Sequence, residues 1–151
     1  MHYSLDIDSV NWSSLETAYG SAEPVRKLLI SILSQDEGIA INAASDLEGY
    51  LCHQHVQLHN GSAAALPFIL EALSKTSAAV SEELLFVLYG YALATEDDFW
   101  FKKPEWMAGV IQLLCKGIDI IKGFKSSESK DSVFYANKII ELLEVQCEKT
   151  T

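Results

Sequence analysis

The residues of this chain whose types and spacing can do chemistry form two groups, imidazoles near a thiol and carboxylates near aromatic rings. Cys52, His53, His55 and His59 make the first group. Zinc needs four such ligands to converge, and this run at the end of a helix lacks finger spacing and has no second cysteine pair nearby. Its residues read better as a structural connection in which His53 and Gln54 hydrogen-bond the last carbonyls of a helix. No metal and no cofactor is expected. The second group is Glu96, Asp97, Asp98, Phe99, Trp100, Phe101, Lys102 and Lys103, where acids abut aromatics and lysines. Two roles fit it. The aromatics can fold back over the end of a helical stack, leaving the acids as a solvated turn. Alternatively, the acids steer a basic partner while an aromatic anchors in its surface.

Other carboxylates, Asp36-Glu37, Asp46-x-Glu48 and Glu82-Glu83, occupy helix starts or outward helical positions. Singly, such charges support a helix N-terminus or solubility. Together they can line one negative surface, because successive helices of a stacked array project onto a common face. Glu82, Glu83, Glu96, Asp97, Asp98 and Trp100 are therefore the candidate partner contacts. Catalytic motifs are missing: the chain has no Gly-rich phosphate loop, no Gly-x-Ser-x-Gly elbow and no His-Glu-x2-His. Adjacent acids such as Asp97 and Asp98 seldom converge on one substrate atom. The expectation is a binding protein and not an enzyme.

Charge narrows the partner. The net charge of −10 repels phosphate backbones and anionic lipid heads, which argues against nucleic acid or a membrane surface as ligand. The field is lopsided. Residues 1 to 101 hold fourteen acids against Arg26, Lys27 and Lys75, whereas residues 102 to 151 hold eight lysines against seven acids. A length of 151 residues with 49% hydrophobic and 21% charged residues is one self-sufficient globular domain. Cys52, Cys115 and Cys147 are odd in number and widely spaced, so they read as reduced packing residues. With no long apolar run and acids near the start, the expected compartment is the cytoplasm.

The elements that must position these groups are helices, because apolar spacing of three and four dominates the chain. A capping box at Ser13 and Glu16 predicts a first helix over 13–19, stopped by Gly20. Val25, Leu28, Leu29, Ile32 and Leu33 predict a second over 23–34, and Ala40, Ala43, Ala44, Leu47 and Leu51 a third over 37–52. Asn60-Gly61 is read as a joint before a helix over 62–73, which Pro67 should kink or start. A further helix covers 80–94, with Leu84, Leu85, Val87, Leu88 and Tyr91 packing inward and Glu82 and Glu83 outward. Pro104 opens a long helix to Ile121, Gly123 to Lys130 form a turn, and a last helix covers 132–146. About seven helices result, an all-α fold.

Several residues carry a family likeness. Trp12, Leu15, Tyr19, Gly20, Pro24 and His53-Gln54, within WSSLETAYGSAEPVRKLLISILSQDEGIAINAASDLEGYLCHQ and the following AAALPFILEAL, resemble the bacterial HEAT-repeat family with a Trp-x2-Leu-x3-Tyr-Gly opening. The likeness covers Trp12 to Leu73, and no matching motif lies beyond Phe99. It implies a short HEAT or armadillo-like α-α superhelix over 1–151, of the kind found as immunity proteins beside bacterial polymorphic or contact-dependent toxins. The function so implied is neutralisation of a cognate toxin, a basic nuclease being the natural partner of so acidic a chain. The alternatives are a HEAT-type adaptor for another protein and a DNA-glycosylase-like HEAT enzyme; the acidic N-terminal two thirds speak against the latter.

Overall fold

A computed structural model of the chain describes residues 2–52, 57–96 and 100–149. Seven α-helices account for most of them: α1 (Glu23–Ser31), α2 (Glu37–Leu51), α3 (Asn60–Leu73), α4 (Ala78–Ala94), α5 (Met107–Lys116), α6 (Ile118–Lys122) and α7 (Lys130–Lys149). The all-α class read from the sequence is the class observed. The apolar stripes behave as their spacing dictates. In α2, Ala40, Ala43, Ala44, Leu47 and Leu51 are all buried, and Asp36 caps the helix by accepting a hydrogen bond from Ile39 N at 3.2 Å.

α4 is the central beam. It packs against α2 on one side and α7 on the other, while α1, α3 and α5 form a second row, with α1 on α2, α3 on both α1 and α5, and α5 on α7. Tyr91, fully buried in α4, ties the rows together by donating to Ser62 O at 2.7 Å in α3. Ser62 in turn donates to Leu51 O at the end of α2. Each bond satisfies a polar group that burial would otherwise strand. Among the described residues no helix is long and apolar enough to cross a membrane.

Four expectations are corrected. The segment predicted as a first helix is instead a 3₁₀ turn, Trp12–Ser14, followed by a two-stranded hairpin of β1 (Glu16–Thr17) and β2 (Gly20–Ser21). Its backbone donors are taken by the body of the protein: Glu16 N donates to Asn60 Oδ1 at 2.7 Å and Ala18 N to Tyr50 O at 3.3 Å. Those bonds replace the helical ladder that the capping box invites. The predicted joint at Asn60-Gly61 is the first turn of α3, and Pro67 stands inside that helix rather than at its start.

The long helix predicted from Pro104 is divided at Gly117, which lies between α5 and α6 against the side chain of Leu70. The fourth correction concerns the cysteines. Cys115 on α5 and Cys147 on α7 form a disulfide, with Cα atoms 5.7 Å apart, while Cys52 is buried outside the bridge with its Sγ 3.8 Å from Val87 O. Thirty-two residues of separation hid the pair, because sequence distance says nothing about helices that fold back on each other. The bridge also removes the cysteine argument for a reducing compartment.

The N-terminal arm is strapped to the helices. Trp12 is buried, donates through Nε1 to Ile7 O at 2.9 Å, and lies 5.9 Å from the Phe68 ring. Tyr3 donates to Leu29 O at 2.5 Å, and its own ring meets Phe68 edge-on at 5.2 Å.

Candidate functional site

Helix α4 explains which candidate residues come together. Its buried positions, including Leu84, Leu85, Val87, Leu88 and Tyr91, leave one strip partly open along the helix: Glu82, Glu83, Phe86, Tyr89 and Leu93. The spacing of three and four places them on one face. Helix α7 lies alongside and contributes Phe134 and Tyr135. Phe86 and Tyr135 have ring centroids 5.3 Å apart, Tyr89 meets Tyr135 at 6.2 Å, and Tyr89 meets Phe134 edge-on at 6.5 Å. Four rings thus form a continuous aromatic seam between two helices. Phe134 remains 51% exposed.

The carboxylates stand at the N-terminal end of this seam. Glu82, Glu83, Phe86 and Tyr135 line a cleft of about 180 Å³. Glu82 Oε1 accepts from the Ser129 hydroxyl, which fixes one carboxylate by way of the turn leading into α7. Partial burial, with the neighbouring Glu82 charge, pushes the Glu83 carboxyl above its usual range. Burial also raises the Tyr135 phenol, helped by Asp131, Glu82 and Glu83. In both, burial is the larger cause and the neighbouring acids add to it. Among the described residues, neither Glu82 nor Glu83 makes an ion pair with a lysine or arginine. A cation does sit farther along the seam: Lys138 Nζ lies 5.8 Å from the Phe134 ring centroid, 3.9 Å from Glu141.

The remaining candidates lie elsewhere. Glu96 is exposed just past the opposite end of α4, roughly 20 Å from Glu82 by the helical rise. Trp100 is half-buried there: Nε1 donates to Ala94 O at 2.6 Å and the ring meets Trp106 edge-on at 6.1 Å. Its indole is thus held at the end of α4. Lys103 Nζ donates to Thr95 O at 2.8 Å beside it. Asp97 and Asp98, with Phe99, lie outside the described residues, as do His53 and His55 of the imidazole run. Among the described residues no group of three or more His, Cys, Asp or Glu side chains is placed to hold a metal.

Phe86, Tyr89, Phe134 and Tyr135 are the members that sequence reasoning missed. Their signal lay in α4 itself, where the positions complementary to the buried stripe carry two acids and two rings instead of the lysines and serines of an ordinary solvent face. The pairing with α7, more than 40 residues downstream, had no local signature. No family model, curated protein or solved structure matches the chain.

Proposed function

We propose that this chain is a protein-binding module of the immunity type, which neutralises a cognate bacterial toxin domain by covering a basic active site with an acidic surface. The observation that carries the reading is the Glu82–Glu83 pair at the edge of a partly exposed aromatic seam, with no cation of the described residues in ion-pair contact with it. Aromatic rings supply the desolvated contact area of an interface, and acids supply steering and register. A nuclease that grips phosphates presents the opposite charge, so it meets both requirements. The chain acts by occupation and carries out no reaction of its own.

Two further facts support it. Helices α1, α3 and α5 lie in one row and α2, α4 and α7 in the other, and a HEAT-like reading of that layout would give the chain a long face for a partner. The acid excess falls in residues 1 to 101, which contain α1 to α4. An adaptor for a different basic protein would use the same face, and inhibition separates the two readings.

The test is co-expression with the product of the neighbouring upstream gene, followed by co-purification across a salt series and an assay of that product's toxicity. Immunity requires a complex that weakens with salt, survival of cells expressing the pair, and loss of both with Glu82→Lys/Glu83→Lys. A complex without protection would leave the adaptor; the absence of any complex would remove the immunity reading.

A further inference from the structure

We propose that the cleft between the N-terminal arm and helix α1 binds a short zwitterionic peptide with aliphatic side chains, its carboxylate on Arg26 and its ammonium group on Asp6. The inference goes beyond the reading above, because this cleft is made by other elements than the α4–α7 seam and does not depend on a toxin partner.

Bonds within the chain fix the shape of this cleft. Its volume of about 440 Å³ falls in the range of roughly 300–1,000 Å³ that small-molecule sites occupy. One wall is α1 and the turn after it, with Ile30 and Leu33; the other is the arm, with Leu5 and Ile7. The arm is held along its length. Tyr3 donates to Leu29 O at 2.5 Å, Ser4 is bound by Glu71, Arg26 Nε donates to Asp8 Oδ1 at 2.7 Å, and the Ile7 carbonyl accepts from Trp12. His2, also on the cleft, is tied through its carbonyl to Lys75 Nζ at 2.8 Å. Within this frame Leu5 and Ile30 are 48% and 44% exposed. Two half-exposed aliphatic side chains on opposite walls of one fixed cleft favour a ligand whose own apolar groups cover both.

The charged groups of the cleft say what else that ligand carries. A guanidinium is a fork with more than one edge for an acceptor, and Asp8 engages Arg26 only at Nε. Among the described residues the two terminal nitrogens of Arg26 make no hydrogen bond or ion pair, so a carboxylate can take both in parallel. Asp6 stands at the start of the 3₁₀ turn, Ile7–Ser9, that carries Asp8. Its Oδ1 accepts from Asp8 N at 2.9 Å, and among the described residues no lysine or arginine makes an ion pair with it. Asp8 offsets Arg26, which leaves Asp6 as a second charge two residues from the anchored fork. A lone anion is drawn to Arg26 and repelled by Asp6, and a lone cation meets the reverse; a molecule with both signs a short distance apart satisfies both. The termini of a dipeptide or tripeptide supply that pair, and aliphatic side chains between them supply the contact with Leu5 and Ile30.

The experiment uses the full chain. Isotope-labelled protein is titrated separately with leucyl-leucine, N-acetyl-leucyl-leucine, leucyl-leucine amide, the doubly blocked N-acetyl-leucyl-leucine amide and glycyl-glycine, and the Leu5, Ile7 and Ile30 methyl signals and the Arg26 side-chain signals are followed by NMR. Saturable shifts centred on these four residues are expected with leucyl-leucine. Either singly blocked peptide should bind about threefold to tenfold more weakly, the scale of losing one partly exposed charge-assisted contact, and glycyl-glycine should not bind. Variants then assign the two ends. Arg26→Gln should bring leucyl-leucine down to the affinity of its amide, and Arg26→Lys, which keeps a charge beside Asp8 but loses the fork, should also reduce the preference for a free carboxylate. Asp6→Asn retains an oxygen to cap the turn and should abolish the preference for a free amino group. Equal binding of all four leucyl peptides overturns the inference, because it would show apolar adsorption alone. So would end-group preferences unchanged in the Arg26 and Asp6 variants, shifts centred on the α4–α7 seam, or no saturable binding.

Discussion

Glu71 accepts from Ser4 N and Ser4 Oγ at 2.6 and 2.8 Å and from Lys75 Nζ at 2.5 Å, so one carboxylate on α3 holds the start of the chain in place. Lys75 completes the clasp by donating to His2 O at 2.8 Å. Burial alone would push this carboxyl up, but the hydrogen bonds from Lys75 and Ser4 outweigh it and hold the group at about 2. Because the folded value lies below the unfolded one of 4.5, the contribution to stability is complete above pH 4.5 and vanishes as pH falls through about 2. After allowance for solvent screening it is on the order of 1 kcal/mol. Thermal melts between pH 5 and pH 2 should therefore show wild type losing more stability than Glu71→Gln, with the two curves converging at the acid end. Parallel curves would mean that the clasp contributes nothing. The clasp on the start of the chain was invisible in the sequence, because Ser4 lies 67 residues from Glu71 and only the pair with Lys75, four residues on, is local.

At the scale of elements, α3 is seated by its first turn. A Cβ at Gly61 would stand 2.5 Å from the Glu16 carbonyl oxygen and 3.1 Å from Ala22 Cβ, so only glycine lets the hairpin touch the helix. Gly61→Ala should cost about 1–3 kcal/mol, the range of overpacking in a rigid contact, and show as a lower urea midpoint with an unchanged slope. The far end of α4 offers a second case. Trp100→Ala removes the indole that bonds Ala94 O and packs on Trp106, and should cost about 2 kcal/mol, a fall of several degrees in melting temperature. If Trp100 closes α4 and does not touch a partner, the folded variant should bind with the affinity of wild type; a specific loss of affinity would return it to the interface. The same comparison shows what local patterns can carry. The stripes of α1, α2 and α4 were legible because burial follows the helical period, whereas the capping box at Ser13 was overruled by bonds to Asn60 and Tyr50, residues that no local window contains.

At the scale of the molecule, the Cys115–Cys147 bridge fastens the last helix to α5 and closes a loop of about 32 residues. Restricting the unfolded chain in this way stabilises the fold by about 3–4 kcal/mol on the chain-entropy account. Alkylation of the denatured, unreduced protein should modify one thiol, Cys52, and alkylation after reduction should modify three. Reduction should lower the melting temperature of wild type and leave Cys115→Ser/Cys147→Ser unchanged; three reactive thiols before reduction would show that the bridge does not form. Since α7 supplies Phe134 and Tyr135, loosening its attachment should also weaken any partner bound on the seam.

The sequence by itself determined the helical class, the buried stripe of each main helix, the acidic field and the absence of known catalytic motifs. All of these depend on residue type and on spacing within a single element, where the geometry of the helix is fixed in advance. Glu82 and Glu83 were legible as outward acids for the same reason. What only the tertiary structure decided was every relation between elements: the hairpin in place of a first helix, the clasp on Glu71, the disulfide, and the meeting of Phe86 and Tyr89 with Phe134 and Tyr135. Those depend on which helix faces come to rest against each other, and that is set by the packing of the whole core and not by any stretch of the chain alone.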